Sequence, residues 1–103
     1  MSTEKQIEEM IQEKGLNAPR LTSSQIDDLI KSKQFHVFDN TTVTVCCLTL
    51  QNGFNVLGES AAVSAKNFDK KIGKQVAFDN AREKIWQLEG YLLKQKMFER
   101  KKA

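Results

Sequence analysis

The stretch that decides the fold is TVTVCCLTLQNGFNVLGES, residues 42–60. Two apolar-rich runs flank Asn52-Gly53, the dipeptide that most strongly indicates a two-residue β-hairpin, because a type I′ turn needs positive φ at both central residues. Such a loop fixes the register, and it places Leu57 on the same side as Leu48, with Val56 on the other side. Both sides carry apolar residues, so we expect neither to be solvated in the assembled protein.

The residues before the hairpin predict two short helices and one further strand. Ser2–Lys14 has helical propensity with a narrow apolar stripe, and a second short helix starts at Thr22, with Gln25 completing a capping box. A first strand at Phe35–Phe38 then leads into the hairpin. The result is a three-stranded antiparallel meander.

The residues after the hairpin predict a long C-terminal helix. Apolar residues recur at intervals of three and four from Asn67 to about Arg100, with Ser64 or Asn67 as the cap. Glycine in a helix interior costs about 1 kcal/mol relative to alanine, so we expect a bend or break near Gly73 or Gly90. The fold class is therefore α+β.

At 103 residues the chain is expected to form one domain. Its parts are a helical N-terminal segment (1–34), an antiparallel sheet (35–63) and C-terminal helices (64–100). One face of the sheet packs against the long helix. The other is covered either by the N-terminal helices or by a second copy, and we favour a homo-oligomer because small domains gain core by association.

The location of the protein follows from two absences in the sequence. No apolar run approaches the roughly 20 residues that a membrane helix needs, and the start, MSTEKQIEEM, has no basic-then-apolar signal segment. We therefore expect a cytoplasmic protein without a membrane partner. The basic residues concentrate near the C-terminus, where a solvated tail and an attractor for a phosphate-bearing partner are both possible.

The sequence lacks the side-chain groupings that catalysis or metal binding requires. Cys46 and Cys47 are adjacent, point to opposite faces of a strand and are interpreted as buried thiols. His36 is the single histidine and has no second ligand at metal-binding spacing. No GxSxG, P-loop or GxGxxG motif is present. We predict no catalytic residue, no metal and no cofactor.

Three motifs carry a family resemblance: NGFNVLGESAA, NFDKKIG and KIWQLEGYLL. They resemble those of a family of small tailed-phage proteins that typically show NGF-x-V-x-GES-A, NFD-xx-IG and KIW-x-LEGYLL. The resemblance covers about Thr42 to Leu93. This sequence differs in having Gln87 where proline is expected, Ala62 where cysteine is common, and Lys66 in a usually less basic loop.

These motifs are also similar to those of the phage anti-Thoeris sponge proteins. That resemblance implies a protein that binds the cyclic ADP-ribose variants made by bacterial TIR-domain defence enzymes and sequesters them without cleavage. Some such proteins bind cyclic trinucleotides at a separate site in a higher oligomer. The resemblance therefore implies a non-enzymatic homo-oligomer whose partner is a cyclic nucleotide in the infected cell.

A nucleotide sponge needs an aromatic ring for the base, cations for the phosphates and polar groups for the ribose hydroxyls. The candidate ligand-binding residues are Phe68 for stacking, Asn67 and Asn80 for hydrogen bonds, Arg82 and Lys84 for phosphate, and Arg20 from the N-terminal segment.

Several of these residues also have an ordinary structural interpretation. Phe68 is equally a core anchor, Asn67 a helix cap and Arg82 a partner in a surface ion pair. Trp86 and Tyr91 are assigned to packing.

Three other functions stay open. A nucleic-acid-binding regulator would use Phe35, Phe38 and Phe54 of the sheet and show salt-dependent affinity, although the net charge of +3 is modest and disfavours it. A host-protein inhibitor would use the exposed sheet face. A hydrolase of the same signal would leave a breakdown product.

Overall fold

The computed structural model describes residues 3–15 and 18–102. These described residues form three α-helices and one antiparallel sheet, which confirms the α+β prediction. In chain order the elements are α1 (Glu4–Glu13), α2 (Ser23–Leu29), β1 (Ile30–Val37), β2 (Val43–Leu50), β3 (Asn55–Ala61), a 3₁₀ turn (Ala65–Asn67) and α3 (Lys70–Lys102).

Both N-terminal helices begin at capping boxes. Thr3 caps α1, with Gln6 as its reciprocal partner, and the helix ends before Gly15, whose φ is +65°. Ser2, the predicted first residue of α1, lies outside the described residues. The predicted box of Thr22 and Gln25 caps α2.

The sheet is the predicted meander, with strand order β1-β2-β3. Its first strand is longer than predicted, because it starts directly after α2 at Ile30 rather than at Phe35. The pairing with β2 contains an irregularity between Ile30 and Ser32. The polar run of residues 31–34 has no apolar alternation, so its strand structure comes from pairing with β2 rather than from its own pattern.

The hairpin exists, but the prediction of a two-residue type I′ turn is wrong. The N–H of Gly53 donates to the carbonyl of Leu50 at 2.9 Å, and the N–H of Leu50 donates to the carbonyl of Phe54 at 2.9 Å. Gly53 has a φ of +89°, whereas Asn52 is not among the residues with positive φ. The loop therefore has three residues, a turn followed by a left-handed glycine.

The longer loop shifts the pairing register by one residue, so every side chain of β3 lies on the opposite face of the sheet from the one predicted. Leu48 pairs with Val56, and Cys47 pairs with Leu57. Because strand side chains alternate in direction, Val56 is 4% exposed in the core while Leu57 is 53% exposed on the outer face. The predicted sides of Val56 and Leu57 are therefore exchanged.

α3 is one continuous helix of 33 residues, so the expected break at Gly73 or Gly90 does not occur. Its cap is neither Ser64 nor Asn67. The Oδ1 of Asp69 accepts the N–H of Lys71 at 2.8 Å and the N–H of Ile72 at 3.2 Å. Ser64 instead caps the short 3₁₀ turn.

α3 crosses the sheet at very short range because the residues at the contact are small. A Cβ added to Gly58 of β3 would lie 2.2 Å from the backbone nitrogen of Ala81 and 2.3 Å from the carbonyl oxygen of Ala77. The core around this contact is formed by Ile26, Cys46, Leu48, Leu50, Val56, Ala77, Ala81 and Ile85.

The outer face of the sheet is not covered by α1 or α2 in the protomer. Ile26 of α2 joins the core on the side of α3, and α1 contacts α3 through Glu4. On the other face Val43, Val45 and Cys47 remain only partly buried. The alternative in which the N-terminal helices cover this face is therefore excluded for the described residues.

The last part of α3 extends beyond the core. Within the described part of α3, no residue from Trp86 to Lys101 is fully buried. Tyr91 and Phe98 are 74% and 49% exposed, so the packing role predicted for Tyr91 is wrong in the protomer. Among the described residues, no helix combines the length and apolar character that crossing a bilayer requires.

Candidate functional site

Three of the six predicted ligand-binding residues meet in one polar cleft of about 360 Å³. Asn67, Phe68 and Asn80 line it together with Thr42, Glu59 and Ser60, and we call this the polar cleft. The ring of Phe68 is partly buried and Asn67 is exposed. The cleft thus offers a ring face, amides and hydroxyls, but neither lysine nor arginine lines it.

Asn80 and Lys84 are already engaged with the edge of the sheet. The pairing alternation in an antiparallel ladder leaves the carbonyls of Leu57 and Glu59 pointing away from β2. Asn80 Nδ2 donates to the Glu59 carbonyl at 2.8 Å, and Lys84 Nζ donates to the Leu57 carbonyl at 2.6 Å. One turn apart on α3, these two side chains cover the free edge of β3.

Arg82 lies on a different side of α3 and is held by the N-terminal helices. Its guanidinium donates to Glu4 and, at 2.9 Å, to Asp27 Oδ1, and also to the carbonyl and hydroxyl of Ser23. Trp86 Nε1 donates to the same Glu4 carboxylate at 2.6 Å. These five residues form the Arg82 cluster. The contacts of Arg82 in the protomer are therefore those of an ion-pair residue, the second of the two roles considered for it.

Within the Arg82 cluster, the positive charge of Arg82 and the carboxylates of Glu4 and Asp27 stabilise one another. Burial alone would raise the pKa of Glu4, but hydrogen bonds from Arg82, Ser23 and Trp86 and the charge of Arg82 outweigh it and lower that pKa. Burial would likewise lower the pKa of Arg82, and its contacts with Glu4 and Asp27 raise it instead. Both groups are therefore fully charged at neutral pH.

Arg20 also meets an α1 carboxylate. Its Nη2 pairs with Glu8 Oε1, one turn after Glu4. The structure thus does not bring Arg20, Arg82 or Lys84 into the polar cleft with Asn67 and Phe68. The six predicted residues are distributed over three separate places around α3.

The sequence reasoning missed a cationic groove on the opposite side of α3. Its lining residues, which we call the lysine groove, are Lys33, Phe35, Lys71, Lys74, Gln75 and Phe78, around a cavity of about 270 Å³. Lys33 Nζ lies 5.0 Å from the ring centroid of Phe78, and Lys74 Nζ lies 5.7 Å from that of Phe35. No carboxylate lines the groove, and none pairs with these lysines within residues 3–15 and 18–102.

The spacing of these residues contained the signal that was overlooked. Lys33 and Phe35 are two apart on a strand and so share a face. Lys71, Lys74 and Phe78 follow at intervals of three and four on a helix. An extension of β1 by five residues, which the sequence did not predict, is what brings Lys33 opposite α3.

A third cavity, of about 590 Å³, lies between β3 and the second half of α3. Phe54, Leu57, Leu88 and Tyr91 line it, and each is between 45% and 74% exposed. Contiguous exposed apolar surface of this kind is typical of an interaction surface.

The remaining candidate chemistry is sparse. No group of three histidine, cysteine or carboxylate side chains is arranged for a metal ion among the described residues. Cys46 is buried, and burial raises the pKa of its thiol, whereas Cys47 is only partly buried. The prediction of two buried thiols is thus right for Cys46 and only partly right for Cys47.

Comparison with known protein families identifies one family that matches this chain. The profile of the phage protein (N4 Gp49/phage Sf6 gene 66) family matches residues 21–97. The chain belongs to this family. The match contains the sheet, the polar cleft, the lysine groove and most of α3, but not α1 or Arg20, and it supports the phage resemblance. No curated protein matches the chain, and no solved structure does either.

Proposed function

We propose that this phage protein is an anti-defence protein that binds and sequesters a cyclic nucleotide immune signal, such as a cyclic ADP-ribose isomer or a cyclic oligonucleotide, without cleaving it. The lysine groove carries the proposal. Three lysines that lack carboxylate partners surround two phenylalanine rings, which is the pairing of cation and ring that a phosphorylated base requires.

The position of the groove favours anions further. Lys71 and Lys74 lie in the first turns of α3, where the helix dipole adds positive potential. Asp69, which caps that end, offsets part of this potential. A ligand phosphate would replace one lysine–ring contact by a charge-assisted hydrogen bond, leaving the ring of Phe35 or Phe78 free to stack on a base.

The polar cleft supplies a second set of groups for a nucleoside. Phe68, Asn67 and Ser60 suit a base and hydroxyls, whereas Glu59 repels phosphate. Because the cleft lacks cations and the groove has them, we assign the phosphates to the groove. The hydroxyls of Ser60 and Thr42 in the polar cleft donate to the carbonyls of Gly73 and Ala62 rather than to a carboxylate, which supports sequestration rather than hydrolysis.

We further propose that the protein is a homo-oligomer in the cytoplasm of the infected cell. The uncovered outer sheet face and the apolar surface of Phe54, Leu57, Leu88 and Tyr91 support association with a second copy. Light scattering after gel filtration measures the assembly, and Leu57→Asp should reduce the mass to that of the protomer.

Calorimetric titration with cyclic ADP-ribose isomers, cyclic dinucleotides and cyclic trinucleotides tests the function. At least one ligand should bind wild type, and Lys33→Gln/Lys71→Gln/Lys74→Gln should weaken it at least tenfold. The matched control Lys94→Gln/Lys96→Gln/Lys101→Gln removes the same charge from the exposed end of α3 and should change the affinity less than twofold.

Several outcomes would contradict the proposal. Equal losses in both triple variants would mean that only net charge matters. A breakdown product recovered after denaturing the complex would identify a hydrolase. Binding of single-stranded DNA but of no cyclic nucleotide would favour the nucleic-acid alternative, and no binding at all would favour a host-protein inhibitor.

A further inference from the structure

α1 is attached to the rest of the protein mainly through charged and polar groups. None of residues 4–13 is buried, and Ile7 and Met10 are 47% and 50% exposed. A helix of ten residues is marginal on its own in water. Its attachments to other elements therefore decide whether it stays folded and in place.

The main attachment is a carboxylate held by donors that all lie outside α1. The carboxylate of Glu4 accepts hydrogen bonds from Arg82 at 2.6 Å, from Trp86 Nε1 at 2.6 Å and from Ser23 Oγ at 2.9 Å. Arg82 is positioned independently by Asp27 and by the carbonyl of Ser23. The donors thus form a ready carboxylate-binding cradle on α2 and α3.

The second attachment repeats the first one helical turn later, where Glu8 pairs with Arg20. Two carboxylates four residues apart on one helical face therefore meet two guanidinium groups. Between these ion pairs α1 does not pack tightly against Leu21 and Trp86. A cavity of about 350 Å³ remains there, lined among others by Ile7, Ile11, Leu21 and Trp86.

We propose that the residues of the Arg82 cluster on α2 and α3, namely Ser23, Asp27, Arg82 and Trp86, form a receptor for an acidic amphipathic helix of another protein, and that α1, which supplies Glu4, is its built-in, displaceable occupant. The helix it recognises carries carboxylates at i and i+4 and aliphatic side chains at i+3 and i+7, the positions of Glu4, Glu8, Ile7 and Ile11. This receptor shares no residue with the lysine groove and does not depend on the nucleotide proposal.

The local charges favour such a helix over a phosphate. Arg82 is already paired with Asp27, and Glu83 lines the same cavity. A doubly charged phosphate would meet two carboxylates, whereas a single glutamate beside apolar side chains matches both the cradle and the cavity. The occupant in cis has a high effective concentration, so an external helix binds detectably only when it competes well or when α1 is weakened.

The experiment uses the full-length chain and a fluorescent peptide with the sequence of residues 1–15. Glu4→Gln/Glu8→Gln should release α1, seen as faster amide hydrogen exchange over residues 4–13, and should bind the peptide at least tenfold more tightly than wild type does. Glu9→Gln/Glu13→Gln, which removes two exposed carboxylates of the same helix, should behave as wild type. A peptide carrying both glutamines should not bind.

Two results from the Glu4/Glu8 variant, and one from wild type, would overturn the proposal. One is unchanged exchange of α1 in the Glu4/Glu8 variant, and the other is a released α1 whose site fails to bind the peptide. If that variant does not fold, hydrogen exchange of the wild-type protein tests the proposal independently. Residues 4–13 should exchange faster than the core of α3, and excess peptide should accelerate them further, whereas exchange of α1 only together with α3 excludes a displaceable helix.

Discussion

α3 makes two interfaces, and they are built in opposite ways. Against the sheet it uses small buried residues, with Ala77 and Ala81 facing Gly58 at backbone distance. Against the N-terminal helices it uses Arg82 and Trp86, which meet Glu4 through hydrogen bonds and an ion pair. The first interface depends on shape and the second on charge, so different perturbations should break them.

The largest effect is expected at the contact between α3 and the sheet. In Gly58→Ala the new methyl group would overlap the backbone of Ala81 and Ala77, which cannot move as a flexible side chain would. We expect a loss of about 3 kcal/mol or more in the free energy of unfolding, because α3 must move off the sheet. Urea unfolding followed by circular dichroism measures it.

Gly90→Ala is the matched control, since nothing lies within 4 Å of a Cβ added there. Alanine is the better helix former, so this variant should be more stable by up to about 1 kcal/mol. Equal stability of the two variants would show that the contact at Gly58 is not as close as described.

The charged interface should respond to acid while the sheet interface does not. Because the pKa of Glu4 is lower in the folded chain than its ordinary value of 4.5, its contribution to stability is complete above that ordinary value. The contribution is lost as the pH falls through the lowered value. Between pH 7 and pH 3, hydrogen exchange corrected for intrinsic rates should accelerate in α1 before it does in β2.

Glu4→Gln serves as the control for this titration. The amide cannot titrate, so α1 of that variant should exchange quickly at every pH. Loss of protection in β2 and α1 at the same pH would indicate that the two interfaces open as one unit.

The smallest effect is expected at the covered edge of β3. Asn80→Ala removes the donor to the Glu59 carbonyl but leaves that carbonyl accessible to water. We expect a loss of about 0.5–1 kcal/mol in the same urea experiment. Gln87→Ala, at an exposed position of the same helix, should not lose stability. An equal loss there would show that the effect of Asn80→Ala does not come from the contact with the edge of β3.

The sequence was sufficient to predict the hairpin but not its register. Asn52-Gly53 suits a two-residue loop, and it equally suits a three-residue loop in which Gly53 alone has positive φ. Both sides of the strands are apolar, so the hydrophobic pattern did not choose between Val56 and Leu57. That choice follows from the contact of Gly58 with α3, which is a long-range feature.

The same limit applies to the candidate site. Asn67, Phe68 and Asn80 could be grouped because the 3₁₀ turn and the start of α3 bring them together locally. The arginines could not be placed, since Arg82 and Glu4 are 78 residues apart and Arg20 lies outside the helix that carries Glu8, so no periodicity links either pair. The lysine groove was missed for a related reason, because it needs β1 to extend back to Lys33.

The tight crossing of α3 and β3 also makes the far end of the helix a lever. From Ala81 to Arg100 the helix runs about 28 Å, so a tilt of about 5° at the crossing moves Arg100 by about 2.5 Å. Whatever binds the exposed end around Tyr91 and Phe98 can therefore sense small changes at the sheet. A spectroscopic label on that end would report them as displacements large enough to measure.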